Sequence, residues 1–83
     1  NTLMGGLAGD ALTVGTDNVA VGVSALGADT QGSGSVAIGK NALMSQNFTS
    51  ATTAYNTGVG RSAGLSITTG VQNTLPQRAI ILH

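Results

Sequence analysis

The chain has 83 residues, and Gly (13), Ala (11), Thr (11) and Ser (7) supply 42 of them. It carries one Phe, one Tyr, no Trp, no Cys and 7% charged residues, with Lys40, Arg61 and Arg78 balancing Asp10, Asp17 and Asp29 to a net charge of zero. The bulk of an ordinary enzyme core is missing, a disulfide framework or Cys/His metal site is unavailable, and no basic stripe offers itself to nucleic acid.

Hydrophobic residues at 41% argue against disorder. Neither an apolar run of 18 residues nor a basic-flanked leader occurs, so no membrane insertion and no signal peptide are expected. A scaffold this small with no covalent staple is stabilised by self-association or by repetitive stacking. The first residue is Asn1 rather than Met, and the chain reads as a piece of something longer.

The stacking is visible as a repeat. Unit one opens at Asn1, and unit two runs Asn18-Val19-Ala20-Val21-Gly22-Val23-Ser24-Ala25-Leu26. Unit three begins Ser35-Val36-Ala37-Ile38-Gly39-Lys40-Asn41-Ala42-Leu43, unit four Asn56-Thr57-Gly58-Val59-Gly60-Arg61-Ser62-Ala63-Gly64, and a fifth start falls at Asn73. The register glycines Gly5, Gly22, Gly39 and Gly60 are 17, 17 and 21 residues apart, and a Thr at the thirteenth place (Thr13, Thr30, Thr68) keeps the same phase. Seventeen residues are too few for a helix-pair repeat and suit one coil of a parallel β-solenoid or β-roll. In each unit the second and fourth places (Thr2 and Met4, Val19 and Val21, Val36 and Ile38, Thr57 and Val59) are expected to point into the coil. The small third place (Ala20, Ala37, Gly58) is then expected to face outward, where another backbone approaches. The glycine that follows predicts a turn with positive φ.

Unit three carries four extra residues within 44–55, a segment that holds both aromatic residues, Phe48 and Tyr55. Insertions in a solenoid emerge as loops on one face. The repeats are placed over 1–75; from Pro76 the pattern fails, and 76–83 reads as a transition or cap strand around Ala79-Ile80-Ile81-Leu82.

These units resemble the N-T-A-V-G-x-x-A-L repeats of phage and giant-virus tail fibres and are similar to the S-V-A-I-G motifs of trimeric autotransporter adhesin heads. The likeness is carried by Asn18 to Leu26, Ser35 to Leu43, Asn56 to Ala63 and Thr68-Thr69-Gly70, while unit one departs from it with Leu3-Met4-Gly5-Gly6. It implies an all-β, left-handed parallel β-roll in a homotrimeric fibre, located on a virion tail or, in the alternative, on a bacterial surface. It also implies attachment to a host receptor, carbohydrate or protein, and suits Ala20, Ala37 and Gly58 as inter-chain packing positions. A monomeric ligand- or ice-binding solenoid is a third reading.

Gly34 to Asn41 comes one residue short of a phosphate-binding loop, but Gly39 is the register glycine and no helical period follows it. Asp10, Asp17 and Asp29 fall at different unit places, do not form a calcium column, and read as solvated turn residues. No paired acid and base is present, so neither an enzyme nor a cofactor is expected. The candidate surface-binding residues are Phe48 and Tyr55, with Asn47 beside them, and the exposed cations Lys40 and Arg61, which share one unit place. For the two aromatics, local packing that holds the insertion is the competing reading.

Overall fold

The computed structural model describes residues 1–75, so the expected cap strand at 76–83 lies outside the described residues. Its strands are β1 (Thr2–Met4), β2 (Val19–Val21), β3 (Gly32–Ser33), β4 (Val36–Ile38), β5 (Thr52–Thr53), β6 (Thr57–Val59) and β7 (Thr74–Leu75). They form a parallel five-stranded sheet, β1-β2-β4-β6-β7, and a second parallel pair, β3-β5. The register sets Leu3 beside Ala20, Ala20 beside Ala37, Ala37 beside Gly58 and Gly58 beside Leu75. The protein is a parallel β-solenoid of about four turns whose coils are about 17 residues long.

Each coil turns by the same local rules. A β-branched strand at places two to four ends at the register glycine, where φ is +117° at Gly5, +125° at Gly22, +128° at Gly39 and +121° at Gly60. A side chain here meets a second obstacle: a Cβ on Gly39 would sit 2.5 Å from the carbonyl carbon and oxygen of Gly60 on the next coil. A turn follows, closed in every coil by the N–H of place eight donating to the glycine carbonyl, at 3.2 Å from Ala25 to Gly22 and 3.1 Å from Ala42 to Gly39. Two further places lie in the left-handed region, the seventh (Leu7, Ser24, Asn41, Ser62) and the ninth (Gly9, Leu26, Leu43, Gly64).

A leucine in that region costs about 1–2 kcal/mol. Leu26 and Leu43 are fully buried, and burying a leucine is worth about 1.5–3 kcal/mol. Burial therefore outweighs the strain, and the ninth place becomes the main source of core volume.

The interior is built inside-out relative to the sequence expectation. Ala20, Ala37, Ala25, Ala42 and Ala63 are fully buried with Leu26 and Leu43, while Met4, Ile38 and Val59 are exposed by 62%, 38% and 50%. The third place thus points into the coil and the second and fourth point out. Ala20 and Ala37 have no side-chain surface to offer another chain, and a Cβ on Gly58 would meet Leu43 Cγ at 3.1 Å, so inter-chain packing at these three positions is corrected to packing within one coil. The reason is thickness. A Cβ on Gly9 would sit 2.5 Å from Leu3 Cδ2 and one on Gly58 3.1 Å from Leu43 Cγ, so the space between the walls takes a small residue with each Leu but not facing rows of Val and Ile.

Volume is shared between the third and ninth places. Ala20 goes with Leu26 and Ala37 with Leu43, whereas unit one reverses the order with Leu3 and Gly9. Unit four has glycine at both, and a Cβ on Gly64 would sit 2.7 Å from Leu43 Cδ2 and from Leu75 Cδ1, leucines of the coils on either side. Neither Gly58 nor Gly64 can take a side chain without a neighbouring leucine giving way.

Candidate functional site

Three features stand out from the coil frame: a buried polar column, the corner formed by the insertion, and the outer sheet face. The buried column begins with the first residue of each unit. Asn18 is 1% exposed; its Oδ1 accepts from the Ser35 N–H at 2.9 Å and its Nδ2 donates to the Gly32 carbonyl at 2.9 Å. Asn1 and Asn56 repeat both bonds, to Asn18 N–H and the Gly15 carbonyl, and to Asn73 N–H and the Gly70 carbonyl. One amide thus satisfies a backbone donor on the next coil and a backbone acceptor at the corner of its own, which a hydroxyl cannot span.

Unit three has Ser35 at this place, and Gln46 fills the gap. Its Oε1 accepts from Asn56 Nδ2 at 2.8 Å, while its Nε2 donates to Asp29 Oδ2 at 2.8 Å and to Ser35 Oγ at 3.0 Å. Asp29 Oδ1 accepts from the N–H groups of Gly32, at 3.1 Å, and Phe48, at 2.9 Å. Asp29 is fully buried, which corrects its reading as a solvated turn residue; Asp10 and Asp17 are exposed. Read down the coils, its column is Leu12, Asp29, Gln46, Ile67, with apolar ends that mark an inward-facing place. Every buried side-chain polar atom has a hydrogen-bond partner among the described residues.

The insertion divides into two parts. Gly32 lies two residues beyond Thr30, but its partner Thr52 lies five beyond Asn47, so three of the extra residues sit between Asn47 and β5. The fourth is a bulge, in which Ala54 and Tyr55 together stand opposite Gly34. Phe48 is 6% exposed, with its backbone held by Asp29 and by the Thr30 hydroxyl, which donates to the Phe48 carbonyl at 3.0 Å. A Cβ on Gly32 would sit 2.8 Å from its ring. Phe48 is therefore the packing residue of the insertion, and its place among surface-binding candidates is corrected.

Tyr55 is 61% exposed. Asn47 is exposed on the rim of an open groove of about 690 Å³ that also touches Leu7, Met44 and Thr68. Lys40 and Arg61 are exposed on neighbouring coils just beyond the ends of the inner strands β4 and β6, linked by the Ser62 N–H donating to the Lys40 carbonyl at 2.8 Å. The surface candidates therefore fall at different places along the coil. No helix follows Gly39 among the described residues, so the loop-like run around it has no helix N-terminus to cradle a phosphate. Among the described residues no three His, Cys, Asp or Glu side chains lie together to hold a metal ion.

The outer face of the five-stranded sheet presents Met4, Val21, Ile38 and Val59 in one column and Thr2, Val19, Val36, Thr57 and Thr74 in the next. It is largely β-branched, with Thr2, Met4, Ile38, Val59 and Thr74 exposed and Val19, Val21, Val36 and Thr57 half-buried. Comparison with protein-family models, with curated proteins and with solved structures yields no match for the chain.

Proposed function

We propose that this chain is a rigid, non-enzymatic segment of a homotrimeric viral tail fibre that holds or forms part of a host-attachment structure. The observation that carries the reading is the apolar column Met4, Val21, Ile38 and Val59 on the outer sheet face, exposed at Met4, Ile38 and Val59 and half-buried at Val21. A single coil stack leaves this row in water, and contiguous apolar surface of this kind marks an interaction face. In a left-handed β-roll trimer, three copies turn these faces toward a common axis and bury them against one another, while the corners stay outside. Stacked coils bonded along the axis make a stiff rod, and corner residues are free to vary without loss of the fold. The motif resemblance supports the viral setting, and the corner at the insertion supplies the exposed side chains for a cell-surface receptor. Immunogold electron microscopy with antibodies to the chain tests this: label along virion tail fibres is expected. Label on a bacterial surface would move the segment to an adhesin head, and label confined to soluble cell contents would overturn both settings.

A further inference from the structure

We infer that the bulged corner around Tyr55 is a binding platform for a neutral saccharide. This deepens the attachment role proposed above and rests on it for its biological meaning. The seventeenth place of every coil lies in the left-handed region: Asp17 at φ 60°, Gly34 at 76°, Tyr55 at 53° and Gln72 at 59°. This is the turn conformation of every coil, and Tyr55 is the one aromatic side chain it carries among the described residues.

The bulge explains how the tyrosine is held there. Ala54 takes both inter-coil bonds, its N–H donating to the Ser33 carbonyl at 2.8 Å and its carbonyl accepting from the Gln72 N–H at 2.7 Å. The ladder thus runs through Ala54, and Tyr55 is re-aimed outward, the use to which bulges are put beside binding sites. The ring lies over Gly34, where a Cβ would come within 3.3 Å of its Cδ1. Glycine at that coil is what lets the ring lie along the corner.

The surroundings suit a sugar. The preceding place, the sixteenth, carries a hydroxyl on successive coils: Thr16, Ser33 and Thr53, with Ser33 Oγ accepting from the Thr16 N–H at 2.9 Å and lying 3.5 Å from Thr16 Oγ1. Along the corner the exposed Asp17 carboxylate stands on one side and the exposed Gln72 amide on the other, about 14 Å apart over three coils at ~4.8 Å each. An aromatic face takes the C–H face of a pyranose, and a carboxylate, an amide and hydroxyls take its hydroxyl groups, both donors and acceptors being present. Asp17 is the only charge in the column and disfavours an acidic sugar. A protein anchor would call for a pocket around the ring, and this ring stands open.

Saturation-transfer NMR on the full chain, with lactose, maltotriose and diacetylchitobiose as probes and 3′-sialyllactose for comparison, tests the inference. At least one neutral probe is expected to receive saturation and to shift the Tyr55 ring resonances. Tyr55→Ala is expected to weaken that binding at least tenfold, Tyr55→Phe to retain it, and Asp17→Ala and Gln72→Ala to weaken it severalfold, with the far-UV circular dichroism unchanged. No response to any neutral probe, preference for the sialylated one, or undiminished binding by Tyr55→Ala overturns the inference. Mass in solution separates its fate from that of the fibre reading: a monomer that binds through Tyr55 keeps only the sugar site, and a trimer that ignores the probes keeps only the fibre.

Discussion

Gly39→Ala attacks the register glycine in the middle of the stack, and its cost follows from two independent terms. The backbone there sits at φ +128°, a region that costs a residue with a Cβ about 1–3 kcal/mol. The new Cβ would also lie 2.5 Å from the Gly60 carbonyl carbon and oxygen and 3.0 Å from Arg61 N, all backbone atoms of the next coil. Relief requires the coils to part, which stretches the Gly60 N–H to Ile38 carbonyl bond at 2.6 Å and the Ser62 N–H to Lys40 carbonyl bond at 2.8 Å. Two such bonds are worth about 1–3 kcal/mol. The total is about 4 kcal/mol, a third or more of the ~4–12 kcal/mol expected for a chain of this size. Gly6→Ala is the control, since a Cβ at Gly6 meets nothing within 4 Å and the substitution is expected to stabilise by about 0.4–1 kcal/mol through the unfolded chain. Urea unfolding followed by far-UV circular dichroism, at one fixed protein concentration, reads both. At a slope of about 1.5 kcal/mol/M, Gly39→Ala lowers the midpoint by close to 3 M. A shift under about 0.5 M, or an equal loss for Gly6→Ala, would refute the stacking argument.

The remaining predictions concern the polar column and the outer face. Asn18→Ala leaves the Ser35 N–H and the Gly32 carbonyl without their partner and is expected to cost about 2–5 kcal/mol in the same urea assay; a loss below about 1 kcal/mol would show the amide to be dispensable. Asp29→Asn sets an amide N–H₂ against that of Gln46, whose orientation Asn56 fixes, and destabilises by about 1–3 kcal/mol. Adding Gln46→Glu exchanges the roles of the two groups, so the double variant recovers most of that loss while Gln46→Glu alone, with two buried carboxylates face to face, is the least stable of the set; additive effects in this cycle would contradict the relay. Ile38→Lys, at a side chain 38% exposed in the single chain, changes the stability of an isolated coil by about 0.5 kcal/mol or less. In the trimer proposed above it is expected to abolish the dependence of Tm on protein concentration that coupled assembly produces, and an unchanged dependence would place any interface elsewhere.

The repeat length, the glycine register, the turn after each strand and the position of the insertion are all legible in the residue order, because each is a matter of spacing. Which strand face turns inward is not. The alternation Val19-Ala20-Val21 describes two faces equally well, and assigning the larger side chains to the inside, sound for thick domains, fails where the walls are so close that Ala20 opposite Leu26 already fills the space. The compensating pairs Leu3 with Gly9 and Ala37 with Leu43 hold the missing signal, but it appears only when the third and ninth places are compared down the coils. Asp29 is a similar case: in its own stretch, among Gly27, Ala28 and Thr30, it has the company of a turn, whereas its column neighbours Leu12 and Ile67 belong to an interior. Ser35 interrupts the asparagine column in the one unit that carries extra residues, and Gln46 in that same unit supplies the absent amide. Of the exposed candidates, Tyr55 was recognisable as an aromatic in an insertion, but so was Phe48; what separates them is the carboxylate of Asp29, which draws the Phe48 backbone inward.

The mass of the folded chain in solution, by sedimentation equilibrium over a range of concentrations, tests most directly whether the outer face of Met4, Val21, Ile38 and Val59 is an interface between copies. A species of about 24 kDa is expected, three times the 8.1 kDa of one chain. A stable, cooperatively folded monomer at 8.1 kDa across that range would contradict it.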